Sequence, residues 1–208
     1  MPNFNIEKEF IKPVIGIDEV GRGPLAGPVT SCACIFFDIK INDNELLFIN
    51  DSKKLSLKKR IIAIKEIYKL RKIKKLQFSL GMASVQEIDK FNILEATKLS
   101  MRRAVKKLNQ PPMQLIIDGN IDLQLKDYPS RSVIKGDQKS YSIATASIIA
   151  KIHRDRYMHF LSNKYPSYDW SSNAGYGTKK HIQEIYKNGI TSHHRKSFEP
   201  IKSLIHKN

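Results

Sequence analysis

The sequence predicts an α/β fold, because three short apolar runs each end in acidic residues and helical patterns lie between them. The first run ends in Asp18 and Glu19, the second in Asp118, and the third, over 132–136, in Asp137. Short β-branched runs bounded by glycine are typical of buried strands. If the three strands are parallel, their carboxyl ends lie along the edge where open α/β sheets hold active sites.

Carboxylates gathered at one edge must either take up protons or hold a cation. Two unit charges about 4 Å apart repel by roughly 4 kcal/mol at an effective dielectric constant of about 20. Ligand sets made only of oxygen suit Mg²⁺ or Mn²⁺ rather than zinc. Each acid by itself is as readily a strand-end cap, but three in the same context favour a metal site. Adjacent strand residues point to opposite faces, so either the strand turns at Glu19 or only one of Asp18 and Glu19 reaches the metal.

The strands and the first helix are predicted from local patterns in chain order. The first strand is predicted over 13–19, and the second, over 28–37, is tightly connected to it and therefore antiparallel. A third strand is predicted over 77–82. Between the second and third strands, Ser56 is the predicted N-cap of a helix that ends near Arg71. The predicted apolar stripe of this helix is Leu57, Ile61, Ile64 and Tyr68.

Three further helices are predicted. Asn92, with Glu95 three residues later, resembles a capping box that opens a helix ending before two prolines. A long helix is predicted over 141–162, and Thr178 is the predicted N-cap of a helix that Gly189 ends. The predicted core face of the helix after Asn92 is Leu94, Met101, Ala104, Val105 and Leu108.

The chain is strongly basic: its 208 residues carry a formal net charge of +16, with a pI near 9.8. This excess of positive charge predicts a polyanionic partner, with nucleic acid ahead of a membrane surface. A lysine-rich surface that is merely solvated is the alternative, and the acids placed at strand ends argue against it. No apolar run approaches transmembrane length and the N-terminus lacks a secretory signal pattern, so we expect a cytoplasmic protein without membrane attachment.

Cysteine usage and composition along the chain indicate a reduced protein with a C-terminal appendage. Cys32 and Cys34 are the only cysteines, and their spacing on a predicted strand puts both side chains on one face, as reduced core residues. After about residue 163 the chain becomes rich in tyrosine, asparagine, glycine and serine. We therefore predict a catalytic domain over 1–163 and a helical extension over 164–208 that packs on it.

The segment after the first strand formally matches a dinucleotide-binding pattern, G-x-G-x-x-A, over 21–26. However, Asp18 and Glu19 would repel a pyrophosphate, and Pro24 and Pro28 interrupt the helix that must follow. We therefore reject this interpretation.

Several segments of the chain form a recognisable series of motifs: DEVGRGPLAGP at 18–28, DSKKL at 51–55, IDG at 117–119, KGD at 135–137, SIATASIIAK at 142–151, GYGT at 175–178 and HRKSF at 194–198. In this order, they resemble bacterial ribonuclease HII. Together they span nearly the whole chain, and their joint specificity is very high. The resemblance implies a ribonuclease H-like, mixed five-stranded sheet flanked by helices, with a small helical C-terminal extension. Thr145 stands where the family pattern leads us to expect alanine, a difference that concerns packing rather than chemistry.

The resemblance also implies an activity. This is endonucleolytic hydrolysis of the RNA strand of RNA–DNA hybrids, together with cleavage 5′ to a single ribonucleotide embedded in duplex DNA. The implied products carry 5′-phosphate and 3′-hydroxyl ends, and the implied roles are ribonucleotide removal and RNA primer degradation. The implied partners are RNA–DNA hybrid and ribonucleotide-containing duplex DNA, bound by a monomer.

The resemblance assigns site residues by position. The implied catalytic and metal-binding residues, with Mg²⁺ or Mn²⁺ as cofactor, are Asp18, Glu19, Asp118 and Asp137. The residues implied to sense the ribose 2′-hydroxyl are Gly21, Arg22 and Gly23. Tyr176 is implied to stack on the neighbouring deoxyribose. The family pattern favours Lys53 and Lys151 as phosphate contacts, and Lys54 and Arg154 are further candidates, although each is as readily a solvated surface cation.

Two other hypotheses stay open at this point. The charge alone would allow a nucleic-acid-binding protein without catalysis. Alternatively, the protein is a metal nuclease with the same sheet architecture that acts on a different substrate.

Overall fold

A computed structural model of the chain describes residues 1–11, 13–41, 43–49 and 55–205. Its strands are β1 (Ile15–Val20), β2 (Val29–Phe36), β3 (Leu76–Ala83), β4 (Leu115–Asp118) and β5 (Ser130–Val133). They form one sheet in the order β3-β2-β1-β4-β5. The pairs β1–β2 and β2–β3 are antiparallel, whereas β1–β4 and β4–β5 are parallel. The expected α/β class and mixed five-stranded sheet are confirmed.

Helices cover both faces of this sheet. The helices α1 (Leu57–Lys72) and α3 (Tyr141–Lys164) pack on one face, and α2 (Val85–Leu108) packs on the other. Strand alternation places Cys32 and Cys34 of β2 under α1 and α3. Both cysteines are buried and free, as predicted. No helix in the described part of the chain combines the length and the apolar character that a bilayer crossing needs.

The first helix has the predicted N-terminus but not the predicted buried face. Ser56 accepts a hydrogen bond from the amide three residues later at 3.3 Å, as an N-cap does. In the predicted stripe, Leu57, Ile61 and Tyr68 are exposed, and only Ile64 is buried. The buried residues are Ala63, Ile64, Ile67 and Leu70. Because apolar residues occupy more than one side of this helix, periodicity alone does not decide which side meets the sheet.

The helix predicted to open at Asn92 begins earlier, at Val85. Ser84 and Glu87 form the capping box at this start. Asn92 interrupts the helix with φ 68° and ψ 168°, and its Oδ1 accepts hydrogen bonds from the amides two and three residues later at 2.9 and 3.1 Å. Asn92 is therefore a cap, as predicted, but of the second part of a kinked helix. The first part has only about two turns, too few for a periodic apolar pattern. Within the predicted core face, Leu94 is exposed and the other four residues are buried.

Asp137 does not end a strand, contrary to the prediction. The strand β5 stops at Val133, and Lys135 takes a left-handed conformation with φ 55°. A 3-10 turn over Gly136–Gln138 then carries Asp137. In this edge strand only Val133 is buried, so little apolar packing holds the chain extended beyond it.

The C-terminal region packs on α3 and on the loop after β1. Its helices are α4 (Trp170–Asn173), α5 (Lys179–Asn188) and α6 (Ile201–Ile205). Thr178 caps α5 and Gly189 follows its last residue, as predicted. The shared buried core is Leu25, Ala26, Met158, Leu161, Tyr168, Trp170, Ile185 and Ile201. The division of the chain after residue 163 stays a prediction.

Candidate active site

Two of the predicted acids, Asp18 and Asp118, lie at the ends of neighbouring parallel strands. Ile17 pairs with Ile117 in the register of β1 and β4, so the two aspartates occupy the next positions along. Strand alternation puts both carboxylates on the face covered by α3, whose backbone sits directly against Gly16. The structure therefore brings these two acids together at one edge of the sheet.

Asp18 is buried, with 5% of its surface exposed. Its pKa is raised well above the usual value, first by burial and then by the charges of Glu19 and Asp118. Hydrogen bonds from the Ser147 side chain and from the Glu19 amide, the latter at 2.7 Å, lower this pKa in part. The carboxylate therefore sits where negative charge is costly and a cation would relieve it.

Asp137 reaches the same edge on the turn after β5. The Gly136 amide donates a hydrogen bond to Asp118 Oδ1 at 2.6 Å, which ties this turn to the end of β4. A Cβ at Gly136 would lie 2.6 Å from Ile143 Cδ1 and 3.2 Å from that oxygen, so a larger residue here would require these side chains to shift. Asp137 is buried and follows the residue that is bonded to Asp118.

Glu19 lies on the opposite face of the sheet from Asp18. The strand β1 continues regularly to Val20 and pairs Glu19 with Ser31 of β2, so it does not turn at Glu19. Glu19 Oε1 instead lies 3.4 Å from Arg22 Nη1. The two adjacent acids therefore diverge, and a direct contact between Glu19 and a metal stays a prediction.

The acids at this edge carry the type of donor atom that a hard divalent cation prefers. Asp18, Asp118 and Asp137 supply only oxygen atoms, as Mg²⁺ and Mn²⁺ favour. Burial and the charges of Glu19 and Asp118 raise the pKa of Asp18, and a bound cation would offset this cost. Within the ranges that the structure describes, no three acidic, histidine or cysteine side chains are grouped closely enough to form a ready-made metal site.

The predicted substrate-binding residues Gly21, Arg22 and Gly23 form a loop directly after β1, here called the GRG loop. Gly21 has φ 92°, and a Cβ at this position would collide with the Arg154 side chain. A Cβ on Gly23 would lie 3.5 Å from the ring of Tyr176. The Tyr176 side chain is 47% exposed, so its ring is open to solvent beside the loop. The structure thus places all four predicted residues together.

A buried histidine that sequence analysis did not use holds the backbone of Tyr176. Trp170 Nε1 donates to His181 Nε2 at 2.9 Å, so the proton of that ring is on Nδ1, which donates to the Tyr176 carbonyl at 2.8 Å. His194 Nε2 lies 3.2 Å from His181 Nε2, and burial together with the neighbouring histidines lowers the pKa of His194 to about 3. These rings come from separate segments, so their contacts have no local sequence signal.

Of the predicted phosphate-binding lysines, the structure describes only Lys151. Lys151 lies one turn after Ser147 on α3 and pairs with Asp155 at 2.7 Å. It also lines a cavity of about 480 Å³ between α1, α3 and α4. Lys53 and Lys54 lie outside the described residues.

Two arginines are buried behind the GRG loop, one of them misassigned from the sequence and the other missed. Arg154 is wrong as a candidate phosphate contact, because it is buried and donates hydrogen bonds at 2.9 to 3.0 Å to the backbone carbonyls of Ala26, Pro28 and Ala174. Arg195 donates to the carbonyls of Gly21, Arg22 and Gly27. The chain contains 36 lysine and arginine residues, so charge alone does not reveal which of these side chains are buried. The only signal for Arg195 is its place in the HRKSF segment.

Comparison with known proteins shows which family this chain belongs to. The family model described as Ribonuclease HII matches residues 15–201. The chain belongs to the ribonuclease HII family. A ribonuclease HII of Wolbachia pipientis subsp. Culex pipiens (strain wPip) is 49% identical over 203 residues, which cover 98% of each chain. A ribonuclease HII of Macrococcus caseolyticus (strain JCSC5402) is 51% identical over 195 residues, which cover 93% of this chain and 69% of that relative.

Solved structures agree with this assignment. Ribonuclease H2 from Pyrococcus horikoshii OT3 gives a TM-score of 0.75 at 25% identity, covering 94% of this chain and 98% of that one. Bst-RNase HIII in complex with Mn²⁺ gives a TM-score of 0.67 at 19% identity, covering 94% and 70%, a likeness of fold alone. The ribonuclease H-like fold is confirmed. As a ribonuclease HII family member, the protein is a metal-dependent endonuclease that hydrolyses the RNA strand of RNA–DNA hybrids.

Proposed function

We propose that this member of the ribonuclease HII family holds Mg²⁺ or Mn²⁺ with four carboxylates and cuts both RNA–DNA hybrids and duplex DNA 5′ to a single ribonucleotide. The proposed carboxylates are Asp18, Glu19, Asp118 and Asp137. The placement of Asp18 beside Asp118, next to the turn that carries Asp137, supports the three aspartates of this set, and Glu19 is included from the family resemblance. The proposed products carry 5′-phosphate and 3′-hydroxyl ends, and the proposed roles are ribonucleotide removal and RNA primer degradation. A monomeric state and a cytoplasmic location stay predictions.

The chain's own residues orient the acids for hydrolysis. Ser147 and the Glu19 amide hold Asp18, while the Gly136 amide holds Asp118. Divalent ions bound by these acids would activate a water molecule and stabilise charge on the attacking and leaving oxygens. Because water is the nucleophile, the reaction needs no covalent bond between the protein and the nucleic acid.

Sugar recognition is assigned to the GRG loop and Tyr176. The exposed residues Arg22 and Gly23 offer donors to the ribose 2′-hydroxyl, the group that distinguishes RNA from DNA. The Tyr176 ring beside Gly23 is the proposed stacking surface for the adjacent deoxyribose. Lys151, and Lys53 outside the described residues, are the proposed phosphate contacts.

Cleavage of two end-labelled duplexes of the same sequence tests this function. One contains a single ribonucleotide, and the other is all DNA. With Mg²⁺ or Mn²⁺ present, we expect cleavage only of the first duplex, on the 5′ side of the ribonucleotide. Excess chelator should abolish the cleavage, and adding the ion back should restore it. Equal cleavage of the two duplexes, or full activity in chelator, would contradict the proposal.

Tyr176→Ala is expected to impair cleavage of the one-ribonucleotide duplex more than it weakens binding of DNA. Packing the sugar against the aromatic ring buries apolar surface worth about 1.5 kcal/mol or more, so kcat/KM for this duplex should fall about tenfold or more. The all-DNA duplex should bind with nearly unchanged Kd in chelator. Tyr176→Phe keeps the ring and is the matched control, and an equal loss in that variant would rule out stacking as the cause.

A further inference from the structure

One buried arginine holds the GRG loop from behind. Arg195 is fully buried, its Nη1 donates to the Arg22 carbonyl at 2.8 Å, and its Nη2 donates to the Gly21 carbonyl at 2.5 Å. Its Nε and Nη2 also donate to the Gly27 carbonyl, at 3.0 and 2.8 Å. The ring of Phe198 lies 5.0 Å from its Cζ. Every guanidinium nitrogen of Arg195 is therefore bonded to the loop region.

These hydrogen bonds decide which way the amides of the loop point. In a trans peptide, the carbonyl of one residue and the amide of the next point in opposite directions. The carbonyls of Gly21 and Arg22 point inward, toward Arg195. The amides of Arg22 and Gly23 therefore point outward, and both residues are exposed. The loop thus presents two adjacent N–H donors on its substrate side.

The charge of Arg195 strengthens these donors. Burial and the charge of Arg154 lower the pKa of Arg195 to about 9, so the guanidinium remains protonated at neutral pH. A cation at the carbonyl end of a peptide group polarises that group, which makes its amide a better donor. The same side chain therefore both orients and polarises the two peptides.

We propose that Arg195 is a positioning residue that sets the ribonucleotide preference of the enzyme. It aims the amides of Arg22 and Gly23 at a 2′-oxygen that Arg195 itself does not touch. This inference rests on the proposed function of the GRG loop and names the residue that prepares the loop for it. Lysine would keep the charge, but it lacks the planar fork that reaches the carbonyls of Gly21, Arg22 and Gly27 together.

Arg195→Lys tests this role by binding, independently of catalysis. Fluorescence anisotropy in excess chelator gives Kd for the one-ribonucleotide duplex and for the all-DNA duplex, and their ratio is the ribonucleotide preference. We expect the wild type to bind the one-ribonucleotide duplex more tightly. Arg195→Lys should weaken that binding by about tenfold, the effect of a lost hydrogen bond, and leave the all-DNA Kd unchanged.

Arg154→Lys is the matched control. Arg154 is equally buried and its side chain also packs against Gly21, but its three hydrogen bonds go to the carbonyls of Ala26, Pro28 and Ala174, so it tests packing behind the GRG loop without bonding the loop carbonyls. Both variants should have a lower Tm, but only Arg195→Lys should lose the ribonucleotide preference. Loss of preference in both variants, or in neither, would overturn the proposal.

A milder variant covers the case in which Arg195→Lys does not fold. Phe198→Leu removes the ring against the guanidinium and leaves Arg195 in place. It should reduce the preference about threefold, the lower end of cation–π strengths, because the hydrogen bonds of Arg195 remain, and an unchanged preference would overturn the proposal. Equal cleavage of both duplexes by the wild type would overturn the proposed function itself, whereas a preference that survives the variants would overturn only the role of Arg195.

Discussion

Asp18→Asn is expected to lower the cleavage rate of an RNA–DNA hybrid by about a thousandfold, the effect of removing a preorganised electrostatic contact from an active site. The substitution keeps the size of the side chain and removes the charge that Asp18 places beside Asp118. The remaining acids would then hold a divalent ion less strongly. Gel-based cleavage at saturating Mg²⁺ measures the loss, and binding of the hybrid should be largely retained.

The same substitution is expected to make the metal-free protein more stable at neutral pH. Burial and the charges of Glu19 and Asp118 raise the folded-state pKa of Asp18 above its unfolded value. Such a group stabilises the fold below the unfolded pKa, and that contribution is lost as pH rises through the folded pKa. In chelator at about pH 7, the Tm of Asp18→Asn should therefore exceed that of the wild type, and the difference should shrink toward about pH 3, below the ordinary aspartate pKa.

Asp127→Asn is the control for both measurements. Asp127 is exposed and has φ 71°, a left-handed conformation that asparagine tolerates. Its activity and Tm should match those of the wild type. A fully active Asp18→Asn enzyme would remove Asp18 from the metal-binding set, and a lower Tm in chelator would show that its burial is not costly.

Gly16→Ala is expected to destabilise the protein by about 3 kcal/mol, at the upper end of typical overpacking costs. A Cβ at Gly16 would lie 2.5 Å from the backbone carbonyl carbon of Ser142 and 2.6 Å from the Ile143 amide nitrogen. These are backbone atoms of α3, so the helix itself must move away from β1. Because Ser147 on α3 bonds Asp18, the displacement should also lower activity. Urea denaturation measures the free energy of unfolding.

Gly189→Ala separates steric crowding from backbone conformation. Gly189 has φ 77°, and a Cβ there would meet no atom within 4 Å. Its φ of 77° and ψ of −164° lie in a region that is essentially restricted to glycine, so replacement should cost about 1–3 kcal/mol from backbone strain, without displacing α3 or lowering activity. A Gly16→Ala enzyme that is as active as Gly189→Ala would show that the contact between β1 and α3 is not tightly packed at Gly16.

Interactions between residues close in the sequence made many helix starts and strands predictable. The caps Ser56 and Thr178 satisfy amides only three residues away, so each is visible in a few consecutive residues. The acids Asp18 and Asp118 end apolar runs and lie side by side because the strands are parallel. Asp137 was harder to place, because the left-handed turn that carries it depends on contacts of Gly136 with other segments.

The first four strands, most helix starts and the residue types of the site are predictable from the sequence, because they depend on neighbours along the chain. The buried side of α1, the divergence of Glu19 from Asp18 and the inward direction of Arg195 are set by the folded structure. Each of these depends on which distant segment packs against the residue. An arginine can be buried only where the fold places enough carbonyl acceptors around its guanidinium. Those carbonyls belong to distant segments, so the local sequence does not predict them.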